Sequence, residues 1–171
     1  MNLPKTPVSR VVDPVIDSIG NAISWIWVVL MLVIVVNVCA RYIFGEGRIE
    51  FEELQWHLYA TGFLLAISYC VSTDSHIRVD VLHERFPERV QVWIDLYSNV
   101  LFVLPFVALM LVFGIPFVED SFQRNEVSAS PGGLPFRWVI KSMLVAGFAL
   151  VGIATISRIT RLAAYLVRNA S

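Results

Sequence analysis

"SIGNAISWIWVVLMLVIVVNVCA", residues 18–40, runs for 23 residues without an Asp, Glu, Lys or Arg. As a helix it is about 35 Å long, enough to cross the ~30 Å hydrocarbon core of a bilayer. A chain in lipid must satisfy its own backbone polar groups, which leaves a helix or a closed barrel. A single continuous apolar run without alternation selects the helix. The run exceeds the apolar region of a signal peptide, and bulky and basic residues, "RYIF" at 41–44, follow it. It is therefore expected to stay in the mature chain.

Working outward, Leu54–Thr73 and Leu96–Val118 are equally free of charge, and Trp138–Ser157 tolerates only Lys141 near its start. With 57% hydrophobic and 16% charged residues, the 171-residue chain has a membrane composition. The expected fold is an all-α integral membrane protein, one domain over 1–171, with four transmembrane helices at about 18–42, 53–73, 87–118 and 136–165. "MNLPKTPVSR", interrupted by two prolines, is expected to be loosely ordered. A third helix starting at Pro87 would be about 48 Å long, so it must tilt, kink at Pro105 or protrude.

Short-loop cations set the orientation. Lys5, Arg10, Arg78, Arg85, Arg89, Arg158, Arg161 and Arg168 fall on one side, against Arg41, Arg48, Arg124, Arg137 and Lys141 on the other. This places both termini in the cytoplasm. Cys39 and Cys70 then lie near opposite faces, too far apart for a disulfide, and read as packing residues.

Between helices 2 and 3, "TDSHIRVDV" (73–81) alternates polar and apolar residues but has no room to pair as a strand. It is read as an extended link at the inner interface that carries His76 and Arg78. Asp80 then caps a short interfacial helix, "VLHERF", ended by Pro87, or meets a cation on another protein.

The net charge of −1 gives no reason to expect nucleic acid, and neither a phosphate-cradling nor a dinucleotide glycine motif occurs. His57, His76 and His83 lack metal-ligand spacing, and only His57 lies within a span, so no cofactor is expected and a bis-histidine haem lacks its second ligand. No span carries a mid-membrane charge or an unwound Gly/Pro break of the kind that marks a substrate path. A non-catalytic, membrane-embedded scaffold that does not transport alone is the reading. Its competitors are an autonomous exporter, which needs a buried carboxylate, and a redox or haem anchor.

Several residues are candidates for structure or partner contact. Glu52 and Glu53 suit a helix amino terminus or a docking face. Trp56 and His57 suit an aromatic belt. Arg41 either snorkels or pairs with Glu50, Glu52 or Glu53, and Lys141 snorkels. Gly62 with Ala66, and Ser142, Ala146, Ala149 and Gly152, form small-residue faces for close helix approach, within the bundle or against a partner.

Three stretches, "NVCARYIFG" at 37–45, "EELQWHLYATGFLLAISYCVSTDSHIRVDVL" at 52–82 and "EVSASPGGLPFRWVIK" at 126–141, carry a family resemblance. The chain resembles the small membrane subunit, DctQ type, of tripartite ATP-independent periplasmic (TRAP) transporters, along nearly its whole length. The resemblance implies residence in the bacterial inner membrane, a large multi-helix partner subunit (DctM type) that holds the ion and substrate sites, and a periplasmic substrate-binding protein (DctP type). It further implies cation-coupled uptake of an organic acid. The third stretch, with "WHL", is similar to the mannitol/chloroaromatic branch, whose relatives take up 2-oxo acids.

Overall fold

A computed structural model describes residues 3–45, 47–73 and 86–168. His76, Arg78, Asp80 and all but the last residue of "VLHERF" lie outside the described residues. The described residues form four long helices and no strand: α1 (Pro7–Ile43), α2 (Ile49–Ser72), α3 (Glu88–Gln123) and α4 (Arg137–Arg168).

The helices outrun the apolar spans that mark them in the sequence. α1 begins at Pro7, not near residue 18, because a complete cap precedes it. Thr6 Oγ1 accepts from the Ser9 amide, Ser9 Oγ accepts from the Thr6 amide, and Pro7 occupies the first turn, where its missing N–H costs nothing. The expectation of a loose amino-terminal tail therefore fails from Thr6 onward. Thr6 Oγ1 is also hydrogen-bonded to Thr160 Oγ1 (2.9 Å), tying the start of α1 to the end of α4. At its far end α1 stops where Gly45 takes the left-handed φ of 67°.

α3 passes Val118 and ends at Gln123 in a Schellman motif. Asn125 adopts φ 47°, its N–H bonds Phe122 O, and the Glu126 N–H reaches back to Ser121 O. Midway, residues Asn99–Val103 form a π-turn in which the Leu104 N–H bonds Asn99 O. Pro105 follows directly; it offers no N–H to the ladder, and its ring would strike the Leu101 carbonyl in a regular helix. The widened turn absorbs this, so of the options open to the third helix, a local break just before Pro105 is one the structure takes.

α1, α3 and α4 are long and apolar enough to cross a membrane. At about 55, 54 and 48 Å they exceed the hydrocarbon thickness, so their ends project beyond it. α2 is less apolar because Gln55, Trp56, His57 and Tyr59 fill its first half.

α4 is the hub. It packs on α1, α2 and α3, and α1 packs on α2, whereas α3 packs mainly on α4. Ile16, Val71, Val107, Val151 and Ala154, drawn from all four helices, form the buried core. The outward faces carry large apolar side chains, such as Trp25, Met31, Phe102 and Phe113, the last two 73% and 70% exposed. Helices apolar on every side suit surroundings of acyl chain.

Candidate functional site: polar clamps at the two ends of the bundle

The charged side chains gather at the two ends. At the end where α1 begins and α4 finishes, α4 turns Arg158 and Arg161 inward. Arg158 Nη2 lies 3.0 Å from Asp95 Oδ2 of α3, and these side chains are only 4% and 8% exposed. Its Nη1 donates to Val71 O of α2 at 3.4 Å. One turn on, Arg161 Nη1 pairs with Asp13 of α1 at 3.3 Å and Nη2 donates to Ser72 O at 3.1 Å. Ser157 Oγ donates to the other Asp13 oxygen at 2.7 Å, and Asn99 Nδ2 donates to Asp95 O at 2.7 Å in the π-turn. All four helices meet at this level.

Arg158 and Arg161 are thus not the carboxy-terminal tail cations assumed in the orientation count; they are internal, and α4 runs on past them. Neither they nor Asp13 and Asp95 stood out as site residues in the sequence. A signal existed: Asp95 and Arg158 directly flank uncharged spans and Asp13 and Arg161 lie within about a turn of one, and a charge near such a boundary either meets headgroups or is paired inside. A pair buried this deeply adds little net stability over apolar substitutes. Removing one partner leaves a charge uncompensated and costs about 3–5 kcal/mol.

The opposite end is held by acids from α2 and the loop between α3 and α4. Glu53 is buried and reaches across that loop; it accepts from Ser128 Oγ with one oxygen and from the Leu134 N–H with the other, at 2.6 Å. The loop is built to be gripped. Gly133 N–H bonds Ser130 O around "SPGG", with Gly132 at φ 78°, a type II turn that Pro131 and Gly132 encode directly. Ser128 N–H to Leu134 O and Arg137 N–H to Glu126 O close its base. Glu126 in turn receives a hydrogen bond from Lys141, whose ammonium also sits 4.0 Å over the Phe117 ring. Lys141, with Arg137 nearby, holds the Glu126 carboxyl below its ordinary range.

Several sequence candidates therefore have intrachain partners. Glu53 faces inward, onto the α3–α4 loop. Glu52 pairs with Arg41 in an ion pair about half exposed, the alternative to Arg41 snorkelling. Trp56 stacks on His57 (4.0 Å between rings), the Arg137 guanidinium lies 5.9 Å from the Trp56 ring, and His57 Nδ1 is 2.5 Å from Glu53 O. Lys141 does not simply snorkel.

The small residues separate in the same way. Gly62 is buried where a Cβ would meet Ile26 and Trp27 of α1, and Gly152 faces Val107 of α3. Ala66, Ala149 and Ser142 are part-buried, Ser142 Oγ donating to Val139 O, and Ala146 is exposed. Among the glycines, the one set against a neighbouring helix's backbone is Gly147, unmarked by the spacing rule, where a Cβ would sit 3.0 Å from Leu64 O.

These arrangements join helices. Among the described residues no three His, Cys, Asp or Glu side chains gather as a metal site.

Comparison with known proteins places this bundle. The "Sialic acid TRAP transporter permease protein SiaT" of Haemophilus influenzae (strain 86-028NP) is 23% identical over 127 residues, 74% of this chain. The chain matches only 20% of that relative's length. Residues 30–164 match the model of the family described as tripartite ATP-independent periplasmic transporters, DctQ component. That match takes in both polar clamps except Asp13, and with it the protein belongs to the DctQ component family of TRAP transporters.

Proposed function

We propose that this chain is the small permease subunit of a TRAP transporter. It scaffolds a large DctM-type subunit for cation-coupled uptake of an organic acid that a DctP-type periplasmic protein delivers. The observation that carries this is the distribution of charge. Every Asp, Glu, Lys and Arg of the sequence lies near or beyond the ends of the apolar spans, and apart from Asp120–Arg124 at the end of α3 the ion pairs seen join one helix to another or, at Glu126–Lys141, the α3–α4 loop to α4. Such a bundle has anchorage at both ends and no ion path between them, which suits a support better than a carrier.

Four spans with cytoplasmic termini belong to the same reading. α2 is the weakest span by composition, yet it lies antiparallel along α1, from Gly20 against Tyr69 through Ile26 against Gly62 to Arg41 against Glu52. A helix aligned with a membrane-spanning neighbour over that length crosses the same layer. The inner membrane follows as the location, with the loop of residues 124–136 in the periplasm. An acid cargo accords with the sialic acid of the relative's name, and the 2-oxo acid branch rests on the "EVSASPGGLPFRWVIK" resemblance.

The experiment is reconstitution. The chain alone in liposomes should show no organic-acid uptake under a sodium or proton gradient. With its large subunit and binding protein it should. Gradient-driven uptake by the isolated chain would overturn the scaffold reading.

A further inference from the structure

α2 ends at Ser72 without a basic residue in its last turn, so its terminal carbonyls need donors from elsewhere. They find them on another helix: Arg158 at Val71 O and Arg161 at Ser72 O. Each arginine is also charge-balanced by an aspartate from a different helix, Asp95 from α3 and Asp13 from α1. A guanidinium suits this double duty, because its planar fork can place one N–H on a carboxylate and another on a carbonyl. A cation at a helix carboxy terminus is in addition favoured by the helix dipole.

α3 packs on α4 and makes no comparable contact with α2. The chain Asp95–Arg158–Val71 O is therefore a direct polar bridge from the start of α3 to the exit of α2. We propose that Arg158 and Arg161 are positioning residues that cap α2 from α4, and that this interhelix cap sets the spacing between the exit of α2 and the entry of α3. The end of the bundle is thereby preformed. As a consequence that rests on the proposed scaffold function, this end needs no further ordering when the large subunit joins.

The spacing can be read in the full chain, in lipid nanodiscs, without any partner. Spin labels at Thr73→Cys and Val90→Cys, in a Cys39→Ser, Cys70→Ala background, report it by pulsed electron resonance. The native arginines should give one narrow distance. Arg158→Gln should broaden it, and Arg161→Gln, at the more exposed rim and milder for folding, should broaden it less. The exchange of Asp95→Arg with Arg158→Asp separates cap from ion pair. It restores opposite charges but leaves an aspartate facing Val71 O with no donor, so the distance should stay broad.

A narrow distance in both glutamine variants, or full recovery in the exchanged pair, would overturn the cap. Addition of the large subunit should leave the native distance unchanged. A shift on complex formation would refute the preformed end. Failure of the large subunit to bind at all would refute the scaffold function and leave the cap result standing.

Discussion

At Gly147 α4 lies against the backbone of α2, and its substitution tests the helix arrangement sharply. A Cβ there would lie 3.0 Å from Leu64 O, 3.1 Å from Leu64 Cβ and 3.2 Å from the Leu64 carbonyl carbon. Ordinary carbon contacts need about 3.5–4.0 Å. None of these atoms moves with a rotamer, so the two helices must part by about half an ångström. Overpacking of that kind costs about 1–3 kcal/mol. Alanine recovers about 0.5–1 kcal/mol through its better helix propensity, so Gly147→Ala should be destabilising by about 0.5–2 kcal/mol net. Gly147→Leu adds three more carbons with no space for them and should cost more than about 3 kcal/mol.

Two controls bracket this. Ala146→Leu, next in sequence but exposed, should stay within about 0.5 kcal/mol of the parent. Gly152→Ala places its Cβ 3.1 Å from Val107 Cγ1, a side-chain methyl that can turn away, so the clash and the propensity gain should nearly cancel. Thermal unfolding in detergent, followed by the fluorescence of the five tryptophans, ranks the four variants. If Gly147→Leu unfolds at the same temperature as Ala146→Leu, the close α2–α4 approach is wrong.

Glu53→Ala removes the acceptor for Ser128 and Leu134 and should open the α3–α4 loop; trypsin should then cut after the exposed Arg124 faster than in the parent, and equal rates would deny Glu53 its hold on the loop. The Glu126–Lys141 clip should respond to acid: because the folded Glu126 is more acidic than in the unfolded chain, its contribution is fully present above about pH 4.3 and is lost as pH falls through the lower folded value. Cleavage of the loop by an acid-active protease such as pepsin should therefore rise below that range, and Glu126→Gln should weaken the dependence without removing it, because Glu53 grips the same loop. For orientation, a cysteine placed at exposed Val127 in the Cys39→Ser, Cys70→Ala background should react with an impermeant maleimide on intact cells, and one at Arg89 only after permeabilisation; reaction at Arg89 in intact cells would invert the topology.

Much of this protein was legible in composition and order. Uncharged runs of bilayer length announce helices because lipid permits little else, and Pro87 and Pro105 punctuate the third for reasons of backbone chemistry alone. The turn at "SPGG" went unread, although Pro131 and Gly132 encode it. The true helix ends were not fully legible either, since the projecting parts of α1 and α4 are polar and owe their helicity to the Thr6 cap and to partners across the bundle.

What only the tertiary structure decided is which residues face one another. A water-soluble helix betrays its inner face by an apolar stripe, but a helix apolar on every side carries no such period. Nothing in the sequence of α4 therefore prefers Gly147 to Ala146 as the contact with α2. Charges were misread for a related reason. Arg158 beside a span looks the same in sequence whether it meets a headgroup or Asp95, 63 residues away, and Glu53 shows no sign of Leu134, 81 residues on. The choice between solvent, headgroup and protein partner is made by the geometry of four helices at once. Local sequence sets each membrane-length helix, while the hub position of α4 and the clamps that hold it arise only when buried charges far apart in the chain must find each other.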